Sequence, residues 1–242
     1  MKRRYDRPAP DAGEAGESYS ISISDLMAAL LTIFILALTY YMLSFSQATA
    51  QLMDNEDKRR EILEKLEGDL LSRGIKVEVD IEHGVLRLPE GILFDKGQAD
   101  LKPSGIHVMD VLAPALKTIL QDPEYQGSIE TIFIEGHTDS DPVRSGRFPS
   151  NWELSTQRAI NTWNKMLEME PGLESIRNSI GQPIFSVSGY ADRRPVPGAV
   201  ADTENDKQKN RRIDLRFSMT PPRREEAAVI EDLRRGLEGA SQ

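Results

Sequence analysis

Asp25 stands at the mouth of an apolar run, Leu26-Met27-Ala28-Ala29-Leu30-Leu31-Thr32-Ile33-Phe34-Ile35-Leu36-Ala37-Leu38-Thr39-Tyr40-Tyr41-Met42-Leu43-Ser44-Phe45, that holds no other group charged at neutral pH. At roughly 1.5 Å rise per residue, about 20 residues reach about 30 Å, the depth of a bilayer core. A carboxylate at the edge of such a run is costly, and intramembrane acids are functional by default. One charge crossing the membrane field gains about 2.3 kcal/mol per 100 mV, enough to drive a conformational step repeatedly. Ala28, Ala29 and Thr32 follow at helical offsets from Asp25. Their small side chains permit close helix packing and a narrow ion path. The competing reading makes Asp25 a helix N-cap, with Ser22 and Ser24 as rival caps. Hydroxyls at Ser22, Ser24 and Thr32 suit sodium and proton paths equally, so the residues leave the ion open between H+ and Na+.

The rest of the chain must supply what such an acid would work against. At 242 residues there is room for one membrane span and one soluble domain of ordinary size. A formal charge of -9 argues against a nucleic-acid partner, and no Lys/Arg block overturns it. With no cysteine, disulfides, thiolate metal sites, iron–sulfur clusters and lipoprotein-type acylation are excluded. His83, His107 and His137 are far apart and lack metal-ligand spacing, so no metal centre and no cofactor is expected. The apolar run exceeds the roughly 7–15 residues of a signal-peptide core, and a retained anchor is expected although Ala48 and Ala50 are spaced like a cleavage site. Lys2, Arg3, Arg4 and Arg7 on one side and Lys58, Arg59, Arg60 and Lys65 on the other leave the orientation nearly tied by charge.

Composition divides the chain into segments. Residues 1–20 are charged and rich in Pro, Gly and Ala, which predicts a disordered tail. Residues 21–46 form the expected membrane helix. Residues 47–74 read as an amphipathic stalk helix with Leu52, Ile62, Leu63, Leu66 and Leu70 near helical spacing, stopped by Gly74. From Ile75 the pattern mixes strands (Lys76–Ile81, Val85–Leu88, Ser128–Glu135, Ile184–Gly189, Ile213–Phe217) with helices after Pro103 and over Trp152–Met169. The expected architecture over residues 75–220 is α+β, a mixed sheet with helices on one face. Residues 221–242 are expected to form a charged C-terminal helix or tail.

Four stretches of this second half stand in one register: Leu93-Phe94-Asp95-Lys96-Gly97-Gln98-Ala99-Asp100-Leu101-Lys102-Pro103, Glu135-Gly136-His137-Thr138-Asp139, Asn151-Trp152-Glu153-Leu154-Ser155-Thr156-Gln157-Arg158-Ala159, and Gly189-Tyr190-Ala191 with Asn210-Arg211-Arg212-Ile213-Asp214. Together they resemble the OmpA-like peptidoglycan-binding domain. That resemblance implies a site for diaminopimelate, whose free end carries an ammonium beside a carboxylate. Asp139 would take the ammonium, and the Arg158 fork would take the carboxylate in a bidentate contact. Asn151 and Leu154 match positions that shape the family's pocket, and Arg212 is a weaker candidate for the same site. A plain structural ion pair between Asp139 and Arg158 is the alternative. The loop Ser140–Ser150, with Asp141, Pro142, Arg144 and Arg147, departs from the family pattern. Catalysis on glycan is disfavoured, because a zinc triad and a catalytic cysteine are missing and nothing fixes the separation of Glu135 and Asp139.

A peptidoglycan binder lies outside the inner membrane, which breaks the orientation tie: N-terminus cytoplasmic, C-terminal domain periplasmic. A single span with an acid near its cytoplasmic end and an OmpA-like domain resembles the MotB family of ion-driven stator subunits. Such chains dimerise inside a ring of polytopic partner subunits. The short stretch between span and domain, and the wording of Asn151–Ala159, are similar to the ZorB type of Zorya anti-phage defence systems. That resemblance implies a five-subunit ZorA-like ring around a homodimer, with flagellar or gliding stators and a passive peptidoglycan tether as alternatives.

Overall fold

The computed structural model describes residues 12–143 and 146–222. The expected C-terminal helix or tail lies outside the described residues beyond Pro222, as do Arg144 and residues 1–11. Helix α1 runs unbroken over Ala12–Ser72, through the expected joint between membrane helix and stalk. It begins within the stretch expected to be disordered, because extending a formed helix costs far less than nucleating one. Chain contacts place the segment through Gln51 in one unit and Leu52–Pro222 in another.

In the first unit, every large apolar side chain from Leu26 to Leu38 is exposed. By length and composition this is the one helix among the described residues suited to cross a membrane. The Thr32 and Thr39 hydroxyls donate back to the carbonyls of Ala28 and Ile35, each at 2.8 Å. This local bond satisfies a polar group without a partner from elsewhere.

The second unit is the α+β domain. Its strands are β1 (Glu78–Asp80), β2 (Val85–Pro89), β3 (Ile129–His137), β4 (Phe185–Gly189) and β5 (Arg212–Met219). They pair in the order β1-β2-β5-β3-β4, antiparallel except for β3 with β4. The parallel pair needs a crossover, supplied by α4 (Asn151–Met169). The other helices are α2 (Glu90–Leu93), α3 (Pro103–Gln121) and α5 (Glu204–Asn210). Pro103 opens α3, where its missing N–H is harmless. Helix α5 was not anticipated, although its capping box, Thr203 with Asp206, is legible in sequence.

Alternation along the strands sorts the two sheet faces. Leu86 and Leu88, Ile132 and Ile134, and Ile213, Leu215 and Phe217 are buried in one core with Val108, Met109, Leu112 and Leu116 of α3 and Ala159 and Met166 of α4. Ile62, Leu63, Leu66 and Leu70 of α1 join that core, so this part of the expected stalk belongs to the domain. Leu52, expected on the same apolar stripe, is exposed. Asn55 Nδ2 donates to Thr220 O at 2.7 Å and Lys65 Nζ to the Tyr125 hydroxyl at 2.5 Å, which adds polar fixings to the apolar seam.

Two glycines set the distance between α4 and the sheet. A Cβ on Gly136 would lie 2.0 Å from Ser155 O, and one on Gly189 would lie 2.2 Å from Thr156 Oγ1. The two are partners in the β3–β4 register. The helix therefore rests on bare backbone where the candidate site begins.

Candidate functional site

Asp139 follows the C-terminal end of β3, and Asn151, Leu154 and Arg158 lie on the inward stripe of α4 about one helical turn apart. These four line a single pocket of about 560 Å3 together with Glu90, Lys96, Gly97, Thr138, Asp141, Pro142, Val143 and Arg211. Ser150 caps α4 by accepting from Trp152 N at 3.2 Å, which fixes the helical turn that presents Asn151. Asn151 Nδ2 donates to the carbonyls of Asp139 (3.2 Å) and Asp141 (2.9 Å), and its Oδ1 accepts from Val143 N at 3.0 Å. Asn151 thus shapes the loop after β3. Leu154 is a buried apolar wall.

Asp139 and Arg158 do not form the direct pair considered above; two further residues connect them. Arg211 Nη1 donates to Asp139 Oδ2 at 2.6 Å, and Arg211 Nε lies 2.9 Å from Glu90 Oε2. The other Glu90 oxygen accepts from Arg158 Nη2. Charges therefore alternate along Asp139, Arg211, Glu90 and Arg158. Arg158 is only 2% exposed, donates Nε to Gln98 O at 2.8 Å, and lies over the Phe94 ring. Burial pulls its pKa down, and Glu90 opposes that pull. For Arg211, burial is outweighed by its bonds to Asp139 and Glu204, which hold its pKa above the usual value. Each of these four charges has a partner of opposite sign, which avoids the large penalty of an isolated buried one. Carboxylates accept at about four lone-pair positions and guanidinium carries five donors, so capacity remains for a ligand.

Arg212, the weaker candidate, lies elsewhere. Its Nε contacts both Asp214 oxygens at 3.0 and 3.1 Å, and its remaining nitrogens reach the carbonyls of Asn210 and Arg194. Arg211 precedes the strand as the C-cap of α5, and Arg212 is the first pleated residue of β5. One residue thus decides the face: Arg211, and not Arg212, lines the pocket. Glu90 was also missed in sequence. The only signal was its place at a strand end before the Leu93–Pro103 motif.

Arg212 belongs to a charged layer on the sheet face opposite the apolar core. Glu135 and Asp214 are directly opposed across β3 and β5, and His137 opposes Arg212. Glu135, His137 and Asp214 offer ligand atoms within 4.8 Å of one another, a clustering that spacing between histidines could not reveal. The surroundings disfavour a cation. Arg216 Nε donates to Glu135 Oε2 at 3.0 Å, Arg194 Nη1 lies 3.7 Å from Glu135 Oε1, and Arg87 Nε lies 4.0 Å from Asp214 Oδ1. His137 is 1% exposed, and neither ring nitrogen has a hydrogen-bond partner. Burial first, and then Arg212, Arg216, Arg194 and Arg87, push its pKa down to about 2. It is a neutral imidazole, stacked on Tyr190 at 5.5 Å, in an ionic layer that holds β3 to β5.

Asp25, Ala28, Ala29 and Thr32 follow one another along exposed turns of α1 in the first unit.

Residues 93–211 match the OmpA family. Over 160 residues the chain is 26% identical to Motility protein B of Bacillus subtilis (strain 168), covering 66% of this chain and 54% of that relative. It thus spans little more than half of that relative's length. It is 24% identical over 224 residues to the Zorya protein ZorB of Escherichia coli O139:H28 (strain E24377A / ETEC), covering 89% of this chain and 83% of that one. A crystal structure of a MotB-like protein from Desulfovibrio vulgaris shares the fold, with a TM-score of 0.50 at 21% identity over 74% of this chain and 99% of that one.

Proposed function

We propose, from the premise that this is a MotB-like chain carrying an OmpA-family domain at residues 93–211, that it is a peptidoglycan-anchored stator subunit of an ion-driven motor in anti-phage defence. The observation that carries the Zorya reading is the extent of the match to ZorB, 89% of this chain, which takes in the apolar helix as well as the domain. The similarity to Motility protein B covers 66% and keeps a flagellar stator as the second reading.

The domain supplies the anchor. The ammonium of diaminopimelate approaches Asp139, and its carboxylate approaches the Arg158 and Arg211 guanidinium groups. The alternating charges of the pocket match a zwitterion in sign and order, and Asn151 keeps the acid-bearing loop open against α4. No bond is made or broken in this role.

The apolar helix supplies the motor half. It spans the inner membrane with the N-terminus cytoplasmic and the domain periplasmic. Two copies sit within a ring of polytopic ZorA-like subunits, five in number by resemblance. Asp25 carries H+ or Na+ along a path lined by Ala28, Ala29 and Thr32. Fixed to the sacculus, the dimer stays still while ion flow turns the ring.

The test measures phage protection and swimming in cells carrying the intact operon, with wild type set against Asp25→Asn. Loss of protection with swimming unchanged is the expected result. Protection that survives the substitution would remove the motor role and leave a passive tether, and loss of swimming would favour the flagellar reading.

A further inference from the structure

One cation of the pocket stands outside the charge relay. Among the described residues, the lining cations Arg158 and Arg211 are bonded to carboxylates, whereas the Lys96 ammonium makes no ion pair or hydrogen bond. The lining acids are taken as well: Glu90 and Asp139 belong to the relay, and Lys207 Nζ holds Asp141 Oδ1 at 2.7 Å. The backbone under Lys96 is nevertheless fixed. Gln98 N donates to Asp95 O at 3.0 Å and closes a turn with Lys96 and Gly97 at its centre. Gly97 has a φ of 71°, which glycine at the third position of a turn adopts without strain. Arg158 holds both ends of this turn, donating Nε to Gln98 O at 2.8 Å and Nη2 to Asp95 O at 3.5 Å. One helical turn further along α4, Asn161 Nδ2 donates to Ala99 O at 2.7 Å. An exposed lysine thus lines the pocket from a turn that α4 clamps in place.

We infer that Lys96 determines specificity in this pocket: its ammonium takes a second carboxylate of the stem peptide, outside the diaminopimelate zwitterion. The inference rests on the diaminopimelate reading of the pocket. In a stem, the glutamate before diaminopimelate is linked through its side chain, which leaves its α-carboxylate free. In a tripeptide stem, diaminopimelate carries a terminal carboxylate as well. Amidation of either group removes the charge and keeps nearly the same shape. The relay is blind to that change, because its charges pair with one another and match the zwitterion. A lysine ammonium has three donors and no acceptor, so a carboxylate satisfies it with a charge-assisted bond that a carboxamide cannot make. At about 560 Å3 the pocket lies within the roughly 300–1,000 Å3 typical of sites that enclose a whole small molecule, which leaves room beyond the zwitterion. The flexible four-carbon stem of lysine supplies the reach that the buried Arg158 lacks. Because the turn beneath it is already pinned, only side-chain freedom is lost when the ammonium is engaged.

The test is calorimetric titration of the full chain in detergent micelles with three peptides. One is the free diaminopimelate-containing stem tripeptide, the second has its glutamate α-carboxylate amidated, and the third has its terminal carboxylate amidated. Wild type should bind the unmodified tripeptide about fivefold more tightly than one of the amidated forms, a modest factor because the lysine is exposed. The form that loses affinity identifies the carboxylate. In Lys96→Met the three peptides should bind alike, and in Lys96→Arg the discrimination should persist. Equal affinity of wild type for all three, or undiminished discrimination in Lys96→Met, would overturn the inference and leave the zwitterion pocket in place. Failure of wild type to bind any of the three would overturn the diaminopimelate reading, and the inference with it.

Discussion

Gly136 and Gly189 lie side by side in the β3–β4 register, and the backbone and side chain of consecutive α4 residues press on them. Added Cβ atoms would stand 2.0 Å from Ser155 O and 2.2 Å from Thr156 Oγ1. The first turns of α4 also present Asn151, Leu154 and Arg158, so this contact sets how far those groups stand from Asp139. Ala191, with φ of 49°, closes the arrangement: its N–H donates to Ser155 Oγ and its carbonyl accepts from Thr138 N. Strained backbone of this kind is held only where the surroundings over-determine it.

Gly136→Ala should therefore cost about 3 kcal/mol or more, at the upper end of overpacking effects. Sacculus binding should fall with it, because α4 must lift from the sheet. Urea unfolding and co-sedimentation with purified peptidoglycan, measured on the same preparation, check both effects. Unchanged stability would mean that the helix yields without strain.

Arg211→Ala and Arg212→Ala should part company although the residues are neighbours. Loss of Arg211 removes a pocket cation beside Asp139 and Glu90, so peptidoglycan binding should drop about tenfold or more. Loss of Arg212 leaves Asp214 buried without its main partner, a defect that typically costs about 3–5 kcal/mol. Thermal unfolding and co-sedimentation of the two variants read these separately. Equal effects on both measurements would mean that the two arginines serve one network.

Arg158→Ala should abolish sacculus binding and lower the melting temperature, since Glu90 loses one of its two partners. Arg158→Lys keeps the charge but cannot reproduce the fork to Glu90 and Gln98 O, so its stability should recover further than its binding. Binding restored in full by lysine would show that only charge matters here.

The neutral His137 predicts a pH signature. Its folded pKa of about 2 lies far below the ordinary value of 6.5, so below pH 6.5 the unfolded chain binds a proton that the folded chain does not. This contribution to stability is complete above pH 6.5 and is lost as the pH falls, with a slope of up to about 1.4 kcal/mol per unit. Asp80, whose pKa is lowered by bonds from His83 and Arg87 against the effect of burial, is lost in the same direction at lower pH. His137→Gln should flatten the denaturant midpoint between pH 6.5 and 4 relative to wild type. Parallel curves for the two proteins would move the acid sensitivity to other groups.

Local chemistry along the chain was sufficient for much of this protein. The Leu26–Phe45 run announced a membrane-length helix, because apolar length needs no tertiary partner to be recognised. Alternation and helical spacing gave the mixed sheet with helices on one face, and the motifs around Asp139 and Asn151–Arg158 marked one side of a pocket. Tertiary structure decided the rest. Glu90 and Arg211 complete the charge relay from positions far from Asp139 and Arg158 in sequence, and only folding brings the four together. The choice between Arg211 and Arg212 depended on where the pleat of β5 begins, because a shift of one residue reverses the face. The fate of Ile62, Leu63, Leu66 and Leu70 was also hidden: an amphipathic stripe fixes which side of a helix is covered, and the covering partner is supplied by the domain core.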